Sequence, residues 1–264
     1  MAAFDIGAAS RALRYARPSL VTVALIVLLS LLALHLWNTS PPVAAHHHAH
    51  STAATMARAF TFLASWMVMS AAMMLPSAMP LLVLLDRVAR NHSSRHEIPL
   101  VAALAYLIVW GVVGMAVWAI GVAAEAYLLP RADAQVVSWL AGAGLVAAGL
   151  YGLSPMAGAC LRACRRPFGF LARHWRGGSG ARWQAARIGT AYGISCVGCC
   201  VPMLGIMFVV GMANIAIVIA MGVMMVMMKS STVGTWIAHS LAIALIAAGL
   251  AVGFGWLPLS PHYH

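Results

Sequence analysis

The sequence predicts an all-α fold, a polytopic membrane helix bundle of about seven transmembrane helices. Composition is the first indication: 63% of the 264 residues are hydrophobic, 8% are charged, and the mean hydropathy is +0.91. Soluble globular domains do not have such values. The second indication is a series of apolar segments near the length that crosses a hydrocarbon core of about 30 Å, at 19–37, 59–85, 99–123, 135–154, 188–210, 213–228 and 233–256.

Arginine placement orients the predicted bundle, because basic residues in short connections remain on the cytoplasmic side. Most arginines precede the first segment or follow the second and fourth, and Lys229, the only lysine, follows the sixth. These positions share one face, which predicts a cytoplasmic amino terminus and an outer carboxyl terminus. The opposite face receives Arg58, Arg131, Glu125 and Asp133. The net charge of +11 then reflects topology and lipid headgroups, and no nucleic-acid partner is expected.

One membrane domain accounts for residues 1–264. Its predicted parts, in chain order, are a basic segment 1–18, a first helix 19–37, a histidine-containing outer loop 38–58, helices two to four in 59–157, a basic cytoplasmic loop 158–187, helices five to seven in 188–256, and an outer tail 257–264.

The first helix has two interpretations. Arginines before it and the small residues Val43, Ala44 and Ala45 after it are typical of a signal peptide cleaved after Ala45. The apolar run that extends to Trp37 is instead typical of a retained anchor. We expect a signal anchor; cleavage would make His46 the mature amino terminus.

Later helices carry small residues that let backbones approach closely, which predicts a tight bundle and a homodimer. These residues are Gly142, Gly144, Ala148, Gly149 and Gly152 in the fourth helix and Gly249 and Gly253 in the seventh. Between the fourth and fifth helices, a short basic amphipathic piece from Cys164 to Trp175 is predicted to lie along the inner membrane surface.

Five cysteines occur in two groups on the predicted cytoplasmic half, where disulfides are not the default. Cys160 and Cys164 form one pair, predicted as a further metal site at the inner edge of the membrane, and Cys196, Cys199 and Cys200 form the other group. Residues three or four apart share a helix face, whereas neighbours point about 100° apart. The spacing therefore predicts that only two thiols of the second group serve one site. The alternative is that each cysteine packs as a small hydrophobe.

Methionines and one histidine lie at depths that these thiols can share. Met73, Met74 and Met221 lie in the second and sixth helices, and His239 lies in the seventh, where a titratable side chain marks function by default. Counted at about 1.5 Å per residue, Met221 lies about 12 Å and His239 about 15 Å above Lys229. A midplane site of thiolate, thioether and imidazole favours Cu(I), with Zn(II) as the alternative. Methionine stripes also serve as core filler.

Histidines on the predicted outer face are a further candidate metal site. His46, His47, His48 and His50 cluster within five residues of the outer loop. Clustered histidines capture borderline divalent metals. A solvated polar loop is the competing interpretation.

Three motifs resemble a known family. They are Met73-Met74-Leu75-Pro76-Ser77; Ala148-Gly149-Leu150-Tyr151 running to Cys160-Leu161-Arg162-Ala163-Cys164-Arg165-Arg166-Pro167; and Cys196-Val197-Gly198-Cys199-Cys200. In this order they resemble the bacterial family of predicted metal-binding integral membrane proteins, some members of which are labelled copper chaperones. The resemblance covers roughly 60–230 and implies a multi-pass protein of the bacterial inner membrane. The chain departs from the family at Val201-Pro202, Met228 and Gly152, where a tryptophan, a glutamate and a polar residue are usual.

The leading functional hypothesis is a membrane protein that handles Cu(I) as a chaperone, delivery factor or transporter, without catalysis. Its expected partners are the lipid bilayer and a cuproenzyme or other membrane subunit. Two alternatives stay open: a non-catalytic subunit or assembly factor of a larger complex, and a membrane thiol or copper oxidoreductase that uses Cys196 and Cys199.

Overall fold

A computed structural model describes residues 52–91, 94–178, 180–210 and 215–256, together with Leu25, Leu28 and Leu32. Across these residues the chain is helical, and the predicted all-α class is confirmed. The helices are α1 Thr52–Val88, α2 Glu97–Ala123, α3 Ala134–Gly152, α4 Pro155–Arg165, α5 Pro167–His174, α6 Ala181–Val210, α7 Ile215–Ser230 and α8 Gly234–Gly253. The predicted cleavage site after Ala45, the outer histidines and the carboxyl-terminal tail lie outside the described residues.

Five of the described helices are long and apolar enough to cross a membrane. Their candidate spans are Thr55–Val88, Glu97–Leu128, Ala134–Gly152, Ala181–Met207 and Gly234–Gly253. The apolar part of α7, Ile219–Ser230, is shorter. The helical membrane character is therefore supported for the described region, while the total of seven spans and the cytoplasmic amino terminus stay predictions.

Two ion pairs show which helix ends lie together. Arg58 at the start of α1 lies 3.3 Å from Glu125, just beyond the end of α2. At the other end of α2, Glu97 lies 2.6 Å from Arg182 at the start of α6. The sequence predicts the first pair on one membrane face and the second pair on the other. The relative directions of α1, α2 and α6 agree with that prediction.

The centre of the bundle is α1. In the most apolar 18-residue stretch of this helix, 67% is buried, compared with 17% of the corresponding stretch in α3 and 44% in α6. One face of α1 packs against α2, and another packs against α7, while α6 lies against α2, α3 and α4. Neither Pro76 and Pro80 in α1 nor Pro202 in α6 ends its helix. The core therefore forms where α1, α2, α6 and α7 meet.

Small residues join α3 to α8 within the chain. A Cβ on Gly142 would lie 2.5 Å from the carbonyl oxygen of Gly249, and a Cβ on Gly149 would lie 2.6 Å from that of Ala242. Only glycine permits such an approach of two backbones. The predicted tight packing of these helices is confirmed as an intramolecular contact, whereas the homodimer stays a prediction.

The basic segment after α3 folds into two short helices. Ser154 caps α4, since its Oγ accepts a hydrogen bond from the Ala157 amide at 3.2 Å, and Pro155 occupies the first turn. Pro167 begins α5 in the same way. Leu161 of α4 and Leu171 of α5 are buried against the core. The segment thus brings Cys160 and Cys164 onto the flank of α6.

Candidate metal centre

Three thiols converge on one face of α6. Cys196, Cys199 and Cys200 are each less than 5% exposed, and their sulfurs all lie within 4.8 Å of one another. Cys196 and Cys200 are one helical turn apart, with 3.7 Å between their sulfurs. The sulfurs of the neighbours Cys199 and Cys200 are 4.0 Å apart. The sulfurs of Cys199 and Cys200 were expected to point apart but lie close together, because side-chain torsions carry each sulfur away from the radial direction of its helix position. How many of the three thiols serve one site stays a prediction.

The second cysteine pair adjoins the same group. On α4, Cys164 is buried and its sulfur lies 4.0 Å from that of Cys199. Cys160 lies over Gly198, where an added Cβ would be 2.5 Å from its sulfur. Gly198 therefore lets α4 approach α6 closely enough to place the two cysteine groups side by side. Without that glycine, the α4 thiols would be held further from the cluster.

The α4 thiols carry protons at neutral pH. Burial raises the pKa of the Cys160 thiol, and the neighbouring Cys199 raises it further. Hydrogen bonds to Cys196 and Cys199, together with burial, raise the pKa of Cys164 well above its ordinary value. The Cys164 sulfur accepts a hydrogen bond from the Cys199 thiol, so α4 supports the sulfurs of α6. The metal-ligand role predicted for Cys160 and Cys164 stays a prediction.

A buried cation contacts the cluster. Lys229 is 8% exposed, and its Nζ lies 3.1 Å from the sulfur of Cys196 and 2.8 Å from Oγ of Ser77. The hydroxyl of Tyr106 lies 3.0 Å from the same sulfur and 3.3 Å from the carbonyl oxygen of Met74. An ammonium and a hydroxyl that both donate to one sulfur stabilise negative charge on it. Cys196 is therefore the thiol whose anionic form the surroundings favour most.

Two thioethers complete the sulfur environment. The sulfurs of Met74 in α1 and Met225 in α7 lie 4.0 and 3.9 Å from that of Cys200. Both side chains are buried. The other predicted candidates, Met73 and Met221, are buried in the same core, and Met73 lies beside Gly222 of α7. Their proposed ligand role stays untested.

The contact with Lys229 also shows where the cluster lies along the axis of α7. Because its ammonium reaches Cys196, the thiols lie level with the carboxyl end of α7, within the reach of one side chain. The stem of the lysine can run along apolar surface to bring its ammonium to the sulfur. The predicted midplane depth of the site stays a prediction.

His239 lies on α8 beside the cluster. Its Nδ1 is 2.8 Å from the carbonyl oxygen of Thr235 in its own helix, and the ring is exposed. Among the described residues, the three α6 cysteines form a group whose ligand atoms all lie within 4.8 Å of one another. His239 is not part of that group. The histidine borders a cleft that Cys199 and Met228 also line.

The donor set fits a soft ion bound by sulfur. Two sulfur ligands at about 2.3 Å from one ion lie about 3.8 Å apart in tetrahedral and about 4.0 Å apart in trigonal coordination. The thiol separations of 3.7 and 4.0 Å match these values. Thiolate and thioether ligands in an apolar core select Cu(I), and thiolates alone also suit Zn(II). The cluster needs little rearrangement to hold such an ion.

Comparison with known families supports this assignment. The family model described as PpoB2: Copper chaperone matches residues 63–252. The chain belongs to the PpoB2 copper chaperone family. The resemblance predicted from the three motifs is thereby confirmed. Neither the curated proteins nor the solved structures contain a significant match to the chain.

The region that matches the PpoB2 family contains several residues of the site that the sequence did not predict as site residues. Lys229, Tyr106, Ser77 and Met225 all contact the cluster or a residue that touches it. Lys229 could have been found, since the only lysine of a chain rich in arginine ends a methionine-rich helix. Tyr106 gave no such signal, because tyrosine in an apolar helix is equally typical of packing.

Proposed function

We propose that the protein binds Cu(I) at the sulfurs of Cys196, Cys199 and Cys200, with the thioether of Met74 or Met225 as a fourth ligand. The bound ion is held in the bacterial inner membrane for delivery to a cuproenzyme or for movement across the bilayer. The observation that carries the proposal is the convergence of three buried thiols at separations suited to one ion. Membership of a family described as a copper chaperone supports the choice of metal.

Ligand type in the buried site supports Cu(I). Burying several thiolates without compensation is costly, because charged groups lose their hydration in an apolar core. Lys229 supplies one positive charge at hydrogen-bond distance from Cys196, and the metal supplies the rest. Cu(I) with Lys229 balances two thiolates beside one protonated thiol, whereas Zn(II) with Lys229 balances three thiolates. Zn(II) does not use the thioethers that border the cluster, so the ligand types favour Cu(I).

The test is the metal content of the full chain purified in detergent after expression with added copper. We expect stoichiometric copper in the wild type and loss of copper in the double variant Cys196→Ser with Cys199→Ser. Cys160→Ser serves as the matched control, since its thiol lies on α4 beside the cluster and is expected to be dispensable. Full copper retention in the double variant would contradict the proposal, and stoichiometric zinc with no copper would favour the alternative metal.

A further inference from the structure

A cleft connects the cluster with the edge of the bundle. It has a volume of about 40 Å³ and lies between the turn that joins α3 to α4, the middle of α6 and the start of α8. Among its lining residues are Ser154, Cys199, Met228 and His239. This volume is well above the roughly 10–15 Å³ that one water molecule needs. An ion together with a water ligand can therefore fit in the cleft.

The lining distinguishes one cluster thiol from the others. In the described part of the chain, Cys199 lines the cleft, whereas Cys196 and Cys200 do not and are each 0% exposed. A metal that reaches the cluster through this cleft thus meets Cys199 first. Met228, the last methionine of α7, provides a thioether on the way.

The ring of His239 is oriented for binding an ion at the mouth. The Thr235 carbonyl, 2.8 Å from Nδ1, can only accept a hydrogen bond, so Nδ1 carries the proton in the neutral ring. The lone pair then lies on Nε2, which is the arrangement in which a histidine binds a metal. The exposed ring borders the cleft, so an incoming ion can reach this nitrogen before it reaches the buried sulfurs.

The position of the mouth indicates the side from which exchange occurs. Arg165 of α4 donates a hydrogen bond to the carbonyl oxygen of Ser231 at 2.6 Å, in the turn between α7 and α8. That turn and the end of α4 lie at the basic end of the bundle, which the arginine distribution predicts to be cytoplasmic. The start of α8, which lines the cleft, follows that turn directly, so the cleft lies in the predicted cytoplasmic half.

We propose that this cleft is the transfer path of the metal, and that His239 is the ligand through which Cu(I) passes to or from Cys199. The inference rests on the proposed function and specifies the route by which the same site exchanges its ion. In loading, the bond from Nε2 to copper breaks as the bond from the Cys199 sulfur to copper forms. The thiol proton leaves through the cleft to solvent, and copper remains Cu(I) throughout.

The test measures loading rate and final occupancy separately. The full chain in detergent, free of metal and kept reduced, is mixed rapidly with Cu(I) bicinchoninate, and the loss of the colour of that complex gives both quantities. His239→Ala is the first variant. Gly158→Leu is the second, since Gly158 lines the cleft and, among the described residues, a Cβ there meets only the flexible end of the Arg162 side chain, at 3.3 Å.

A matched control is available on α5. His174 is exposed and has its Nδ1 2.8 Å from the Phe170 carbonyl, which is the same arrangement as in His239, but it does not line the cleft. We expect His174→Ala to load at the wild-type rate. Loading of His239→Ala and Gly158→Leu should slow by about tenfold, the order of magnitude that loss of one metal-orienting group costs. Their final occupancy should equal that of the wild type.

Any other result contradicts either the transfer path or the proposed function. If His239→Ala loads at the wild-type rate, the transfer path is wrong while the proposed function stands. If His239→Ala lowers the final occupancy, His239 is a permanent ligand of the site, and the transfer role is again wrong. If the wild type itself takes up no Cu(I), the proposed function fails, and the transfer path fails with it.

Discussion

Replacement of Lys229 by methionine tests how the buried cation supports the cluster. The ammonium donates to the sulfur of Cys196 at 3.1 Å and to Oγ of Ser77 at 2.8 Å. A hydrogen bond to a charged group contributes about 1.5–3 kcal/mol. Because about 1.4 kcal/mol corresponds to a tenfold change in a binding constant, Lys229→Met should weaken Cu(I) binding by about 10–100-fold.

The fold should survive this substitution. An apolar side chain of similar length in place of a buried charge is often neutral or stabilising, so the thermal midpoint of the metal-free variant should not fall. Tyr106→Phe is a graded comparison, since its hydroxyl lies 3.0 Å from the same sulfur but is neutral. A neutral hydrogen bond contributes about 1 kcal/mol, so this variant should lose only about fivefold in affinity.

The assay is competition for Cu(I) between the detergent-purified chain and a coloured chelator under anaerobic, reducing conditions. Thermal unfolding of the metal-free proteins provides the control for folding. The reasoning is refuted if Lys229→Met binds Cu(I) as tightly as the wild type, or if Tyr106→Phe costs more affinity than Lys229→Met.

Three further predictions concern packing, thiol reactivity and the thioether ligands. Gly142→Ala should lower the thermal midpoint, since its Cβ would lie 2.5 Å from the Gly249 carbonyl oxygen, whereas Gly144→Ala, with none of the described residues within 4 Å of the added Cβ, should not; equal midpoints would contradict the α3–α8 contact. Burial raises the pKa of Cys160, so its alkylation should be slow at neutral pH and accelerate as pH rises through and above the usual thiol range; a rate that is already maximal at neutral pH would contradict this. Met225→Leu should preserve folding and weaken Cu(I) binding, with unchanged affinity in the chelator assay as the contrary result.

Hydropathy predicted the long helices well because a membrane helix is apolar over its whole length. The helices α3 and α8 lie within a few residues of their predicted bounds. The short helix α4 was not predicted, since its arginines mask the apolar positions that face the core, whereas α5 falls within the amphipathic piece predicted from Cys164 to Trp175. The Ser154-Pro155 pair was an available signal, because serine followed by proline is typical of a helix start.

The cysteine cluster was predicted from the spacing of the cysteines, but the positions of their sulfurs were not. Spacing along a helix gives the direction of each Cβ, whereas the position of a sulfur also depends on a side-chain torsion. This is why Cys199 and Cys200 were predicted to diverge, although their sulfurs lie 4.0 Å apart. Contacts between distant segments, such as Cys164 with Cys199 and Lys229 with Cys196, depend on how helices pack and leave no local pattern in the sequence.

The most direct test of the central claim is X-ray absorption at the copper edge of the wild-type protein loaded with Cu(I). Binding by Cys196, Cys199 and Cys200 predicts an edge typical of Cu(I) and a first shell made of sulfur at about 2.3 Å, the usual metal–thiolate distance. Replacement of Cys196 and Cys199 by serine should remove that shell. A first shell dominated by nitrogen or oxygen in the wild type would contradict the claim that the α6 thiols hold the metal.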